Sequence, residues 1–219
     1  MLPALESVWS EVPLVVIDLE TTGVDPATAV PCEVACARFE RGELVGTWSS
    51  LLNPGSEMSE EVVAVHGITN AMVAGAPPAA TAIALLLGCG LLKRAWPVGY
   101  NGQGYDRTIL RRLAGAGADL NAHLAAPWID PLVYVRDIDR WVAGSGRHRL
   151  GITCARHGIE HLDAHRALGD CIATGKLLWS LRERLGDVTL GELARRTAAR
   201  GAAQTAALDR YWGRGKVHP

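Results

Sequence analysis

The run Leu14 to Leu19 (LVVIDL) is short, apolar and followed by polar residues, and it predicts a strand. Cys32 to Glu40 and Leu44 to Leu52 predict two more, turned by Arg41, Gly42 and Glu43, with Pro54 and Gly55 ending the third. Ser59 ahead of Glu60, Glu61 and Val62 is a helix N-cap signature, and Gly67 supplies the stop. A helix is then expected from Pro77 to Leu92, a short strand over Pro97 to Tyr100, and a helix over Asp106 to Leu113 ended by Gly115 and Gly117. Trp128 and Ile129 form a brief apolar link, a candidate fifth strand, into a helix from Pro131 to about Trp141. Arg149 to His157 predicts another short helix, and Ala164 to Leu185 the longest, with Leu168, Ile172, Leu177, Leu178 and Leu181 as its core-facing stripe. Leu190 to Tyr211 predicts a last helix with Gly201 in its middle. Early strands followed mostly by helices indicate an α/β layer fold.

Composition narrows the class. A chain of 219 residues with 48% hydrophobic and 21% charged residues buries a full core and is neither disordered nor fibrous. The net charge of −1 argues against extensive wrapping of duplex DNA. Five cysteines, an odd number with no C-x-x-C spacing, read as reduced thiols of a cytoplasmic protein. The opening MLPALESVWSEVP lacks the cationic and apolar regions of a secretion signal. Residues 71 to 92 carry no charge, but Pro77, Pro78, Gly88 and Gly90 interrupt them, so no membrane span is expected.

Three clusters carry chemistry. Asp18 and Glu20 lie at i and i+2, on the same face of an extended strand, about 7 Å apart along the chain, while Leu19 points the opposite way into the core. Two such acids at the end of an apolar strand repel each other unless a cation lies between them. Asp106 follows the turn Asn101-Gly102-Gln103-Gly104-Tyr105 and opens a helix, where a negative charge is favoured. His165 and Asp170 are five residues apart, a net offset of roughly 140° on one helix. They reach one point only if His165 sits at the helix entrance and Asp170 inside it. Four acids from three segments with one histidine match the donor arithmetic of a two-metal phosphodiesterase, in which oxygen ligands favour Mg²⁺ or Mn²⁺ and the histidine serves as base.

These clusters resemble the DnaQ-like exonuclease superfamily, typified by the proofreading subunit of bacterial DNA polymerase III, in the DEDDh branch. The resemblance rests on Asp18-Leu19-Glu20-Thr21-Thr22-Gly23, on Asn101 to Asp106, and on His165 with Asp170, in that order. His66-Gly67-Ile68-Thr69 and His148-Arg149-Leu150 extend it. The second motif departs from the family pattern. Tyr100 stands where a histidine is usual, Asn101 to Asp106 counts one position too many, and Tyr105 replaces a phenylalanine. Gly102 and Gly104 allow a turn that absorbs the extra residue.

The resemblance implies a ribonuclease H-like α/β fold, a central mixed five-stranded sheet flanked by helices. It implies that Asp18, Glu20 and Asp170 hold the first of two ions, that Asp18 is shared with the second, and that Asp106 supports the second. His165 is then the general base, Thr21 and Thr22 line the place of the 3′-terminal nucleotide, His66 lies near its sugar or base, and Asn101 shapes its pocket. The implied reaction is hydrolysis from the 3′ end of single-stranded nucleic acid, DNA favoured, releasing nucleoside 5′-monophosphates. The alternatives are an exoribonuclease trimming short RNA and a partner-bound proofreading or interaction module. Residues 1–185 are expected to form the exonuclease domain and 186–219 a C-terminal helical extension, with a DNA polymerase as partner. Arg107, Arg111, Arg112, Arg147, His148 and Arg149 are the candidate phosphate rim.

Overall fold

The computed structural model describes residues 1–114, 121–142 and 146–214. Its sheet has the order β3-β2-β1-β4, built from β1 (Leu14–Thr21), β2 (Pro31–Glu40), β3 (Glu43–Leu51) and β4 (Trp96–Val98). β1 pairs antiparallel with β2 and β2 antiparallel with β3, whereas β4 runs parallel to β1. Arg41 and Gly42 connect β2 to β3 as a two-residue loop with φ of 50° and 87°, the left-handed pair that matches strand twist in a tight hairpin.

The sheet is mixed, as expected, but has four strands among the described residues, not five. Trp128–Ile129 contributes only an isolated parallel bridge, Val98 to Ile129. The reason is local: Pro127 precedes the pair, and Asp130 directly after it caps the next helix by accepting from Leu132 N–H at 2.9 Å. Two residues between a proline and a helix cap leave no length for a ladder.

In chain order the helices are α1 (Glu60–His66), α2 (Asn70–Val73), α3 (Ala82–Gly88), α4 (Asp106–Ala114), α5 (Asn121–Ala125), α6 (Pro131–Ile138), α7 (Leu150–Arg156), α8 (Ala167–Ser180), α9 (Arg182–Leu185) and α10 (Leu190–Arg214). Ser59 caps α1 and Gly67 closes it at φ 71°, as the sequence predicts. The helix expected over Pro77 to Leu92 shortens to α3 after a 3₁₀ turn. Gly115 and Gly117 lie outside the described residues.

Both faces of β1 and β2 are covered, which explains their continuous apolar runs. Val15, Ile17, Leu19, Val34 and Cys36 meet α3 and α4 residues such as Leu86, Ile109 and Leu110 on one face. Leu14, Val16, Ala35, Ala37 and Phe39 meet α8 on the other. α8 lies close because the residues it turns inward include Gly169, Cys171, Ala173, Thr174 and Gly175. A Cβ on Gly175 would collide with the Phe39 ring. The C-terminal segment packs on the same layer. Leu190, Leu193 and Ala194 of α10 are buried there, and Trp9 Nε1–H donates to Gly186 O at 2.9 Å. No helix among the described residues is long and apolar enough to cross a membrane.

Candidate active site

Strand alternation builds the first half of the site. Leu14, Val16, Asp18 and Glu20 share the face of β1 that α8 covers, so the apolar stripe turns acidic at the strand's carboxyl end. A break in register between Glu20 and Thr21 then bends the chain away. Cys171 of α8 sits with Sγ 3.6 Å from the Val16 and Ala35 carbonyls, which places the residue before it, Asp170, over the acidic end. One carboxylate oxygen from each of Asp18, Glu20 and Asp170 lies within 4.8 Å of the others, and all three side chains are half-buried.

Asp106 arrives from the other side of β1. The lengthened turn is absorbed by Asn101 at φ 59° and by Gln103, whose Oε1 accepts from Trp128 N–H at 2.7 Å. Gly102 leaves room, since a Cβ there would be 3.1 Å from Asp106 Oδ2. Asp106 is 5% exposed, and its Oδ1 accepts from Leu19 N–H, between Asp18 and Glu20, at 3.1 Å. It is not one of the three acids whose oxygens converge.

The segment before α8 differs from the continuous helix expected from Ala164. Asp163 and His165 take φ of 52° and 63°, and the helix starts at Ala167. The Leu162 and Asp163 carbonyls fold onto Gly169 and leave no room for a Cβ there. His165 therefore lies outside the helix. Its backbone N–H donates to Asp170 Oδ1 at 3.2 Å while its ring is exposed. The ring that reaches Asp170 is His161, with Nε2 2.7 Å from the same oxygen and a buried Nδ1 that has no partner among the described residues. Nothing in the spacing of His161 pointed to it, because the reversal at 163–165 brings it there.

The remaining predicted residues are placed as follows. Thr21 donates to Gly23 O at 2.9 Å and lies 2.5 Å from the Tyr105 hydroxyl, which itself donates to Gly23 O. Thr22 Oγ1 accepts from Val30 N–H at 3.0 Å. Both hydroxyls thus shape the loop after β1, and Tyr105 adds a bond that phenylalanine lacks. His66 is 4% exposed, with Nδ1 accepting from Ile68 N–H at 3.0 Å and Nε2 3.6 Å from Cys32 Sγ. Asn101 is exposed and its backbone N–H donates to Asp130 Oδ1 at 3.0 Å. Tyr100 donates to His148 O at 2.5 Å, tying β4 to the approach to α7. Arg107 and Arg112 direct guanidinium N–H groups to the Ala126 and Ala29 carbonyls.

Burial and crowding hold Asp18, Glu20 and Asp106 towards their protonated forms. Burial first, then Asp106, Asp170 and Glu20, push Asp18 well above the ordinary aspartate range. Burial and then Asp170 raise Glu20 to about 8. Burial raises Asp106 to about 7, against the lowering effect of its backbone hydrogen bonds. A half-buried, oxygen-only set in which each charge opposes the next suits a hard divalent cation. Arg166, the nearby cation, is bound to Glu33 and to none of the three. An acid whose pKa is higher folded than unfolded holds extra protons in the native state, so stability falls as pH rises. For Glu20 the favourable contribution is complete below about 4.5 and lost through about 8. The metal-free protein is therefore expected to melt at progressively lower temperature between pH 5 and 8, and millimolar Mg²⁺ or Mn²⁺ to flatten that slope. Differential scanning fluorimetry with EDTA or metal checks both, and a pH-independent melting temperature in EDTA would contradict the electrostatics.

A family model described as "Exonuclease" matches residues 15–178. The DNA polymerase III PolC-type protein of Oceanobacillus iheyensis is 30% identical over 178 residues, which are 78% of this chain and 11% of that protein. A DNA polymerase III subunit epsilon-like protein of Rhodobacter capsulatus is 34% identical over 208 residues, covering 85% of this chain and 27% of that one. The chain thus spans only a small part of the curated relatives it matches. Among solved structures, E. coli Exonuclease I in complex with a dT13 oligonucleotide superposes with a TM-score of 0.67 at 22% identity, over 79% of this chain and 41% of that one. Exonuclease X in complex with 5′ overhanging duplex DNA gives 0.61 at 22% identity, over 83% and 99%.

Proposed function

The chain belongs to this exonuclease family, and from that premise we propose that it is a metal-dependent 3′–5′ exonuclease of single-stranded nucleic acid, DNA favoured, releasing nucleoside 5′-monophosphates. The observation that carries the reading is the convergence of Asp18, Glu20 and Asp170, with Asp106 bonded to the strand between the first two. Asp18, Glu20 and Asp170 would hold one divalent ion, and Asp106 with Asp18 a second. Such ions supply the positive charge that a phosphodiester transition state requires.

The protein's own groups do the rest. Asp106 keeps its place through the Leu19 amide. His165, beside Asp170 at the entrance to α8, is the group that takes a proton from the attacking water. Thr21 and Thr22 hold the loop after β1 so that its backbone flanks the terminal nucleotide. Related proteins are named for DNA polymerase III, which favours DNA and a polymerase partner, and Exonuclease I was solved with a DNA oligonucleotide, which favours DNA. We place the exonuclease domain at residues 1–185 and a helical extension at 186–219, docked through Leu190, Leu193 and Ala194.

The test is an assay on 5′-labelled single-stranded DNA, mismatched-end duplex DNA and short RNA, with Mg²⁺ and then Mn²⁺. A ladder shortening one nucleotide at a time from the 3′ end, fastest on single-stranded DNA, is the expected result. Preferential trimming of RNA would move the substrate class, and internal cleavage or none would overturn the activity.

A further inference from the structure

Among the described residues, Glu33 is a buried charge outside the acids and histidine already described, with no evident duty in a packed core. It is 2% exposed, in the buried first half of β2 between Cys32 and Val34, and stands directly across from Glu20 in the β1–β2 ladder. Two like charges at opposed positions of an antiparallel pair destabilise it, and a buried carboxylate persists only where it is paired and hydrogen-bonded. Here the pairing comes from the segment that enters α8. Arg166 grips Glu33 with two bonds, Nη2 to Oε1 at 2.6 Å and Nε to Oε2 at 3.1 Å. Ala167 N–H adds a third, to Oε2 at 3.0 Å. Glu33 thus satisfies a first-turn amide of α8 and a planar guanidinium fork together, a geometry that lysine cannot reproduce.

We propose that Glu33 and Arg166 are a positioning pair, which sets Asp170 and His165 against Asp18 and Glu20; this rests on the reading of the site given above. The two residues that Glu33 holds, Arg166 and Ala167, are those directly after His165 and ahead of Asp170. Asp170 N–H donates to Arg166 O at 3.0 Å, and Arg166 N–H to Asp163 O at 3.1 Å, so displacement of Arg166 displaces both ends of the segment. The tie runs to β2 beside Glu20, the strand pair that carries the other acids. Ion pairs of this kind are often replaceable by apolar residues without loss of stability. Stability alone therefore does not require the fork, whereas register between α8 and the sheet does.

The experiment compares wild type, Arg166→Lys, Arg166→Gln and Glu33→Gln, each checked for folding by circular dichroism. Readouts are Mn²⁺ titration of metal-free protein by calorimetry, and kcat and KM on a short single-stranded DNA. Misplacement of reacting groups by about 1 Å costs as much as 10²-fold in rate. Arg166→Gln and Glu33→Gln are accordingly expected to lose about 10- to 100-fold in kcat with KM changed less than about threefold, and to bind Mn²⁺ about tenfold more weakly. Arg166→Lys, which keeps the charge without the fork, should fall between these and wild type, and it decides the matter if the glutamine variants do not fold. Folded variants with wild-type Mn²⁺ affinity and kcat, only lowered in melting temperature, would overturn the proposal. A wild type that cleaves nothing, while Arg166→Gln still weakens Mn²⁺ binding, would sink the exonuclease reading and leave the positioning pair standing.

Discussion

Asp18→Asn, Glu20→Gln and Asp170→Asn are each expected to slow nucleotide release by about 10³-fold or more, equivalent to roughly 4 kcal/mol of barrier. Each variant should nonetheless melt, without metal, no lower than wild type. The two effects share one cause. The three carboxylates sit within 4.8 Å of one another in half-buried surroundings, so in the absence of a cation each opposes its neighbours, and removing one charge relieves the rest. The same removal takes away a donor on which the proposed chemistry depends. Asp106→Asn should be as damaging to activity, and its melting temperature is the informative difference. The amide introduced by that substitution keeps an oxygen to accept from Leu19 N–H, so the fold should hold at wild-type stability or above. Single-turnover quench assays alongside fluorimetry in EDTA read both quantities. An active Asp170→Asn enzyme would remove the proposed site.

His165→Ala is expected to lower kcat by about 10² to 10⁴-fold, the usual worth of a positioned base. A base must be neutral to accept the proton, so log kcat for wild type should rise with pH and then level off. The variant should lose that rising limb while its Mn²⁺ affinity stays close to wild type. The structure sharpens the test by providing a second histidine. His161, not His165, places its ring on Asp170, at 2.7 Å. If His161 only orients that carboxylate, His161→Ala should lose under about tenfold and keep the limb. A His165→Ala enzyme with a wild-type single-turnover rate from pH 6 to 9, beside a crippled His161→Ala, would transfer the role of base to His161. Single-turnover conditions are needed because slow product release hides the chemical step.

Much of this was legible in the chain because the signals are local. Caps, stops and apolar runs act over a few residues, so β1 to β3, α1 and α4 emerge close to their observed bounds. Strand alternation alone puts Asp18 and Glu20 on one face with Leu19 behind them, and the structure places Leu19 in the core and the two acids with Asp170. The glycines at 102 and 104 similarly announced a turn able to take up an extra residue.

What depended on distant partners was not legible. Trp128–Ile129 has strand composition, but its flanking proline and helix cap reduce it to one bridge. The leucine stripe of α8 is buried as expected at Leu177 and Leu178, but the small residues beside it were not legible as sheet contacts, because only the approach of Phe39 makes Gly175 necessary. Glu33 is an acid among buried neighbours of β2, and neither its opposite number Glu20 nor its guanidinium partner 133 residues away can be read from spacing. The sequence by itself determined the strands, the caps and the facing of the acids, since these follow from backbone periodicity and short-range hydrogen bonding. Only the tertiary structure decided which histidine ring reaches Asp170 and what ties α8 to β2, since both are set by the left-handed turn at 163–165 folding onto Gly169 and by a buried charge that must find its partner across the fold.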